Sequence, residues 1–308
     1  MKQKTLNLAL GALALGMIAL VAINRKEEAA KTEFVLKHGE PITALEPSSI
    51  ERIAIRHPDA PEIRLEKKDN QWQLIAPVQA PADLVQVSNI IALATAERQG
   101  TVDIAKVKRP NLGLEPPRYT VTLNDTPFAV GEVEPLRFTR YVEIGVGTPE
   151  DRIVLIKDNG TTATDADYTG LLSKLLLPAK ADIARIEVAG LRIERRGDTW
   201  TAQPASAEAT PESLAAFVDG WRQIRAVSTE RPTVEGVRRA KSPEFATVSL
   251  ADGRAYKYEI GRRDNDIVFD RDELKVRYAL LTADGERLLH LPKPKPPEAT
   301  EPASGTPK

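Results

Sequence analysis

Ile50-Glu51-Arg52-Ile53-Ala54-Ile55-Arg56, followed by Arg64-Leu65-Glu66 and then Trp72, returns later in the chain. Its second form is Ile183-Ala184-Arg185-Ile186-Glu187-Val188, followed by Arg192-Ile193-Glu194 and then Trp200. The alternation of apolar and polar residues in both openings is that of a strand with one buried face. Each is followed by a hairpin-like pair, by two prolines (Pro77 and Pro81, or Pro204 and Pro211) and by an apolar helical pattern. The repeat specifies architecture and carries no reacting group.

Working outward, Lys67 to Gln71 has the polar composition of a hairpin loop between strands at Glu62–Glu66 and Trp72–Ile75. Pro81 and Asp83 suit a helix start, which predicts a helix with Leu84, Val87, Ile91 and Ala94 on one face, stopping near Gly100. Strands are predicted at Tyr119–Leu123, Phe128–Gly131, Tyr141–Ile144 and Ile153–Ile156. In the second copy Thr210-Pro211-Glu212 opens a helix whose apolar face is Leu214, Phe217, Val218, Trp221 and Ile224. Phe245–Leu250 matches the strand at Tyr119, and Tyr258–Gly261 matches Phe128–Gly131. Arg277-Tyr278 is paired with Arg140-Tyr141, and Arg287-Leu288-Leu289 with Arg152-Ile153-Val154. The expected fold is α+β: two tandem homologous, mainly antiparallel β domains, each with one main helix, behind an N-terminal transmembrane helix. The boundaries are a cytoplasmic tail at 1–5, an anchor at 6–23, a linker at 24–47, repeat units at 48–158 and 181–291 with a linker at 159–180 between them, and a disordered tail at 292–308. That last stretch is dominated by Pro, Lys, Glu, Ala, Ser and Thr and cannot form a core.

Leu6 to Ile23 is a run without charge, with Lys2 and Lys4 before it and Arg25 and Lys26 after it. As a helix it would span ~27 Å, close to the ~30 Å hydrocarbon core. Its length and the poor cleavage site at Leu20-Val21-Ala22 favour an uncleaved signal anchor over a signal peptide. The expected location is the inner (cytoplasmic) membrane, single-pass, with the bulk of the chain periplasmic. The 308 residues include 43 basic and 44 acidic ones, a net charge of −1 that gives no basic excess for nucleic acid. With no cysteine, the chain has no thiolate nucleophile, thiolate metal site, disulfide or lipid-modified cysteine.

Leu112-Gly113-Leu114-Glu115-Pro116-Pro117 stands directly before an alternating strand, and Leu175-Leu176-Leu177-Pro178 directly before Ile183. With the anchor, the Ile50 strand and the Trp72–Pro77 stretch leading to the Pro81 helix, these features resemble the bacterial domain-of-unknown-function family 4340. The resemblance implies likeness to extracytoplasmic accessory proteins of gliding-motility-type ABC transporters, hence membrane-protein partners such as transporter subunits. It implies no catalytic residue. The second copy departs from the pattern: Arg238-Arg239-Ala240-Lys241-Ser242 replaces the Leu-Gly-Leu signature.

Other groupings point to no chemistry. His38, His57 and His290 lie in unrelated segments. Asp264-Asn265-Asp266 and Asp270-Arg271-Asp272-Glu273 fail the EF-hand pattern, because Val268, Phe269 and Lys275 fall at the places that need an oxygen ligand, glycine and glutamate. They read as a charged hairpin loop. Asp165-Ala166-Asp167 reads as a loop, and Trp72, Trp200 and Trp221 as core residues. No catalytic, cofactor-binding or metal-ligating residue and no cofactor is assigned. The expected function is a non-enzymatic membrane-anchored accessory or binding protein of an envelope ABC-type transporter. The rival readings are an envelope hydrolase or transferase working through carboxylates such as Asp264 and Asp270, and a cell-wall or glycan-binding structural protein.

Overall fold

A computed structural model describes residues 39–134, 136–145, 151–157, 167–233 and 236–292. The chain divides into two compact units at Leu171/Leu172. Both are built on one antiparallel sheet, so the protein is α+β and mostly β. The expected anchor at 6–23 and the tail from 293 onward lie outside the described residues. Among the described residues no helix is long and apolar enough to cross a membrane.

In the first unit β1 (Arg52–Arg56), β2 (Ile63–Lys68) and β3 (Gln71–Ala76) form a meander, and the two-residue β4 (Ala80–Pro81) adds an edge. Helix α1 (Leu84–Ile91) follows, then β5 (Arg98–Val102), β6 (Tyr119–Leu123), β7 (Thr126–Glu134), β8 (Thr139–Ile144) and β9 (Arg152–Lys157). The sheet order is β4-β3-β2-β1-β6-β7-β8-β9-β5. In the second unit come β10 (Ile183–Val188), β11 (Leu191–Arg196), β12 (Thr199–Gln203), helix α2 (Pro211–Gln223) and β13 (Ser228–Glu230). They are followed by β14 (Phe245–Leu250), β15 (Ala255–Arg262), β16 (Asp266–Arg271), β17 (Val276–Leu281) and helix α3 (Thr282–Leu289). The order β12-β11-β10-β14-β15-β16-β17-β13 repeats that of the first unit strand for strand, β4 apart.

Position by position, the register explains the repeat. Ile53 and Ile55 stand opposite Leu65 and Ile63 on one side and Leu123 and Val121 on the other. Ile186 stands between Ile193 and Val248. All of these residues are buried. A one-residue slip would turn each row outward, so the alternation holds the register.

Helix α1 differs from its expected phase. Asp83 caps it, accepting from the Val85 and Gln86 amides at 2.9 and 3.3 Å. The helix therefore begins at Leu84, and Pro81 belongs to β4. Its buried residues are Val87 and Ile90, continued by Leu93 and Ala94 in a 3-10 turn, while Leu84 is 62% exposed. Helix α2 follows its expected pattern: Thr210 caps it through the Ser213 amide at 3.2 Å, and Leu214, Phe217, Val218 and Trp221 are buried. Trp221 is wholly buried, donates its indole N–H to the Leu288 carbonyl at 3.2 Å, and meets Phe269 edge-on at 5.9 Å.

Two expected pairings shift by one element. Arg277-Tyr278 lies in β17, the counterpart of β9 and not of β8, and Arg287-Leu288-Leu289 lies in α3. The strand that corresponds to β8 is β16, whose sequence Asp266-Ile267-Val268-Phe269-Asp270-Arg271 reads as a loop because charged residues bracket its apolar centre. The described part of the expected linker 159–180 is packed: Leu171 accepts from the Asp83 amide in the first unit, and Lys174 from the Ala226 amide in the second, each at 2.8 Å. Leu172, Leu176 and Leu177 are buried.

Trp72 and Trp200 occupy the same place, opposite Lys67 and Arg195, but only Trp72 is buried; Trp200 is half-buried on a strand whose ends are exposed. Trp72→Ala is therefore expected to cost about 3–5 kcal/mol and Trp200→Ala about half as much, read from urea melts. Equal losses would show that the two sites pack alike.

Candidate functional site

In each unit the segment before the strand next to the repeat opening (β6 or β14) crosses the far face of the sheet and sets an arginine on a buried carboxylate. In the first unit, Arg109–Leu112 form a 3-10 turn ended by Gly113 in the left-handed conformation, with φ 64°. Only glycine holds that conformation at little cost. Leu112 and Leu114 turn down to form a second apolar layer with Val102, Ala129 and Ile153. Gly131 on β7 lies directly beneath, where a Cβ would stand 2.2 Å from the Leu112 carbonyl oxygen. The Leu-Gly-Leu signature thus has a packing origin: two leucines cover the sheet, and the glycine between them turns the chain.

Glu143 stands opposite Ala129 and Ile153 and shares that covered face. It is 1% exposed. Arg109 Nε donates to it at 2.6 Å, while Arg109 Nη2 donates to Asp151 at 2.9 Å. Burial pushes the Glu143 carboxyl above the usual range; Arg109 pulls it back, and neighbouring Asp151 pushes it up again. The Arg109 guanidinium is held more firmly protonated by its bond to Glu143.

The second unit repeats the device with different walls. Arg238 bridges Arg262 through two backbone bonds of 2.8 Å, beside Gly261, where a Cβ would meet Val237 at 2.6 Å. Arg239 bonds the buried Asp270 and lies 2.9 Å from Glu259. Asp270 faces Arg277 across the strands and takes both Nε and Nη2 at 2.8 Å, a fork-on-carboxylate pair. Arg277 is wholly buried, and its hydrogen bond to Asp270 raises its pKa. Where the first unit has Ala129 and Ile153 beside its carboxylate, the second has Glu259 and Arg277: an apolar layer is replaced by ion pairs.

The two carboxylates offered for a hydrolase do not come together. Asp264 is an exposed turn residue 3.6 Å from Arg238, before the strand in which Asp266 and Asp270 are four residues, roughly 13 Å, apart. His57 lies against Tyr119 with the rings tilted and their centres 5.5 Å apart, His290 sits 3.2 Å from Glu286, and His38 lies outside the described residues. Asp167 accepts from the Thr169 amide at 2.8 Å; its expected partner Asp165 is outside the described residues. Among the described residues no group of three or more His, Asp or Glu could hold a metal ion. Arg109, Glu143, Asp151, Arg239 and Arg277 give no sign in the sequence beyond the charged places Glu143 and Asp270 take in otherwise apolar strands. What they do chemically is neutralise one another under a crossing segment, which locks that segment to the sheet.

A family model matches residues 72–259, more than half of the chain, under the description Domain of unknown function (DUF4340). The chain belongs to that family. No curated protein and no solved structure matches it. The DUF4340 match begins at Trp72 and ends at Glu259, so it takes in the whole Arg109–Glu143 crossing of the first unit and the Arg238–Arg239 crossing of the second.

Removing Asp270 strands Arg277, and Asp270→Ala is expected to cost about 3–5 kcal/mol; Asp270→Leu with Arg277→Met restores most of it, read by thermal melts. Glu143 tests the sign of its shift. A carboxyl with a raised folded pKa favours folding at low pH, and that contribution is lost as pH climbs above the ordinary glutamate value of about 4.3. Glu143→Gln is expected to gain stability relative to the parent as pH rises through that window. A pH-independent difference would show that Glu143 titrates normally.

Proposed function

We propose that the chain is a membrane-anchored extracytoplasmic accessory or binding protein associated with an envelope ABC-type transporter. The observation that carries this reading is the combination of a charge-free run at Leu6–Ile23 with two β-rich units of one topology. The run has the length of a bilayer-spanning helix. The buried charges of the units support a binding role over a catalytic one: Glu143, Asp270 and Arg277 are all engaged in ion pairs. A catalytic acid or base has to reach a substrate proton, and these groups face a covering segment. In this reading the N-terminal helix stays uncleaved in the inner membrane and the units work in the periplasm, on a membrane-protein partner.

Affinity purification of the full chain from detergent-solubilised membranes tests the partner. Transporter subunits are expected to co-purify, and their absence alongside a co-purified peptidoglycan fragment would favour the structural-protein reading. A reporter active only outside the cytoplasm, fused after Leu291, is expected to work; recovery of full-length soluble chain from the cytoplasm would end the anchored reading.

A further inference from the structure

The turn between β7 and β8 breaks the rule by which the two units resemble each other. Leu136 is 87% exposed, Phe138 76% and Val133 37%. Arg137 stands between the first two. The corresponding turn of the second unit, between β15 and β16, is Arg263-Asp264-Asn265, wholly polar. Phe138 also holds a left-handed backbone, φ 54°, where a bulky residue is an outlier and Asn or Gly would be the unstrained choice. Neither side chain is buried in the fold, so the pair is available to a partner outside the unit.

The turn is already furnished for a less polar surrounding. Glu134 accepts from the Leu136 amide at 3.3 Å and the Arg137 amide at 2.8 Å through its carboxylate, and from the Phe138 amide at 3.0 Å through its carbonyl. Three backbone donors that would resist leaving water are satisfied from within. An aromatic ring beside a leucine and an arginine is also the composition that settles at a lipid headgroup boundary.

The position of the turn points to the same occupant. Val133 pairs with Arg140, Arg140 with Ile156, and Ile156 with Arg98, so these four form one row across the sheet just below the turn. Arg98 is tied to Glu40 by a side-chain ion pair and by its backbone amide at 2.9 Å. The described chain therefore begins in the row beneath the turn, four strand spacings or roughly 19 Å across. Residues 24–38 alone separate that point from the apolar run, a tether of at most about 50 Å. On the anchored reading above, on which this inference rests, the tether joins the sheet in the row beneath Leu136 and Phe138, and its length allows that end to reach the bilayer.

We propose that the β7–β8 turn is a membrane-contact element, with Leu136 and Phe138 seated in the headgroup boundary of the bilayer that holds the anchor. The first unit would then have two points on the membrane, one covalent and one peripheral, which fixes the orientation of its sheet; the second unit, with its polar turn, would have none.

The absence of cysteine makes the test direct. Single cysteines are placed in the full chain by Phe138→Cys, Asp264→Cys or Ala14→Cys and labelled with a polarity-sensitive fluorophore. The protein is reconstituted into vesicles of phosphatidylcholine and phosphatidylglycerol containing lipids quenched at the headgroup boundary or deep in the acyl chains. The label at 138 is expected to shift to the blue and to be quenched several-fold more by the shallow lipid than the label at 264, with the label at 14 quenched by the deep lipid. A label at 138 that behaves like that at 264, while 14 is quenched, overturns the contact and leaves the anchor standing. A blue shift at 138 without lipid quenching assigns the turn to a protein partner and overturns it too. A label at 14 that no lipid quenches removes the anchor, and the contact with it.

Discussion

An antiparallel sheet of eight or nine strands has two faces, and among the described residues each unit has few helical ones with which to cover them. That shortage governs the architecture. Strands β8 and β9, next to the edge strand β5, are buried nearly throughout, so both of their faces must be roofed. The roof on the second face is irregular chain, and irregular chain is held to a sheet only by what its side chains and carbonyls find there. Gly131 opens the space, Leu112 and Leu114 fill it, and Arg109 on Glu143 closes it. The second unit solves the same problem with a backbone bridge at Arg238 and a charged layer in place of the leucines.

These two solutions are not equal in cost. An apolar layer is stabilised by removal from water alone, whereas a buried ion pair must first recover the desolvation of both charges. Arg277 and Asp270 manage this with a two-point bond and a second arginine beside them. Breaking either partner is therefore far more damaging than never having built the pair. Their charge is neutralised where it lies.

Much of the fold is legible in residues taken singly or in short runs. The alternation at Ile50 and Ile183 identifies the opening strands, and the Thr210-Pro211 signature locates α2, because strand faces and helix caps are local properties. Legibility ends where local polarity opposes tertiary position. β16 has the composition of a charged loop because Asp270 looks solvent-bound until Arg277 and Arg239 are brought to it. β5 and β13 are short edge strands with weak alternation, recruited by partners distant in sequence. The phase of helix α1 is ambiguous in the sequence because Pro81 and Asp83 both make plausible starts, and the pairing of β4 with β3 decides between them.

The chain by itself determined the duplication, the strand-rich character, the two main helices and an N-terminal run long enough to span a bilayer. Those are written in periodicity and composition, which do not depend on what folds against what. Tertiary structure alone decided which charges are buried, since that depends on a crossing segment placing Arg109 over Glu143 from 34 residues away, and Arg239 over Asp270 from 31. It also decided which leucines and phenylalanines stay outside. Leu136 and Phe138 are large apolar residues that stay outside the core because the β7–β8 register leaves them beyond the last paired row, Glu134 with Thr139.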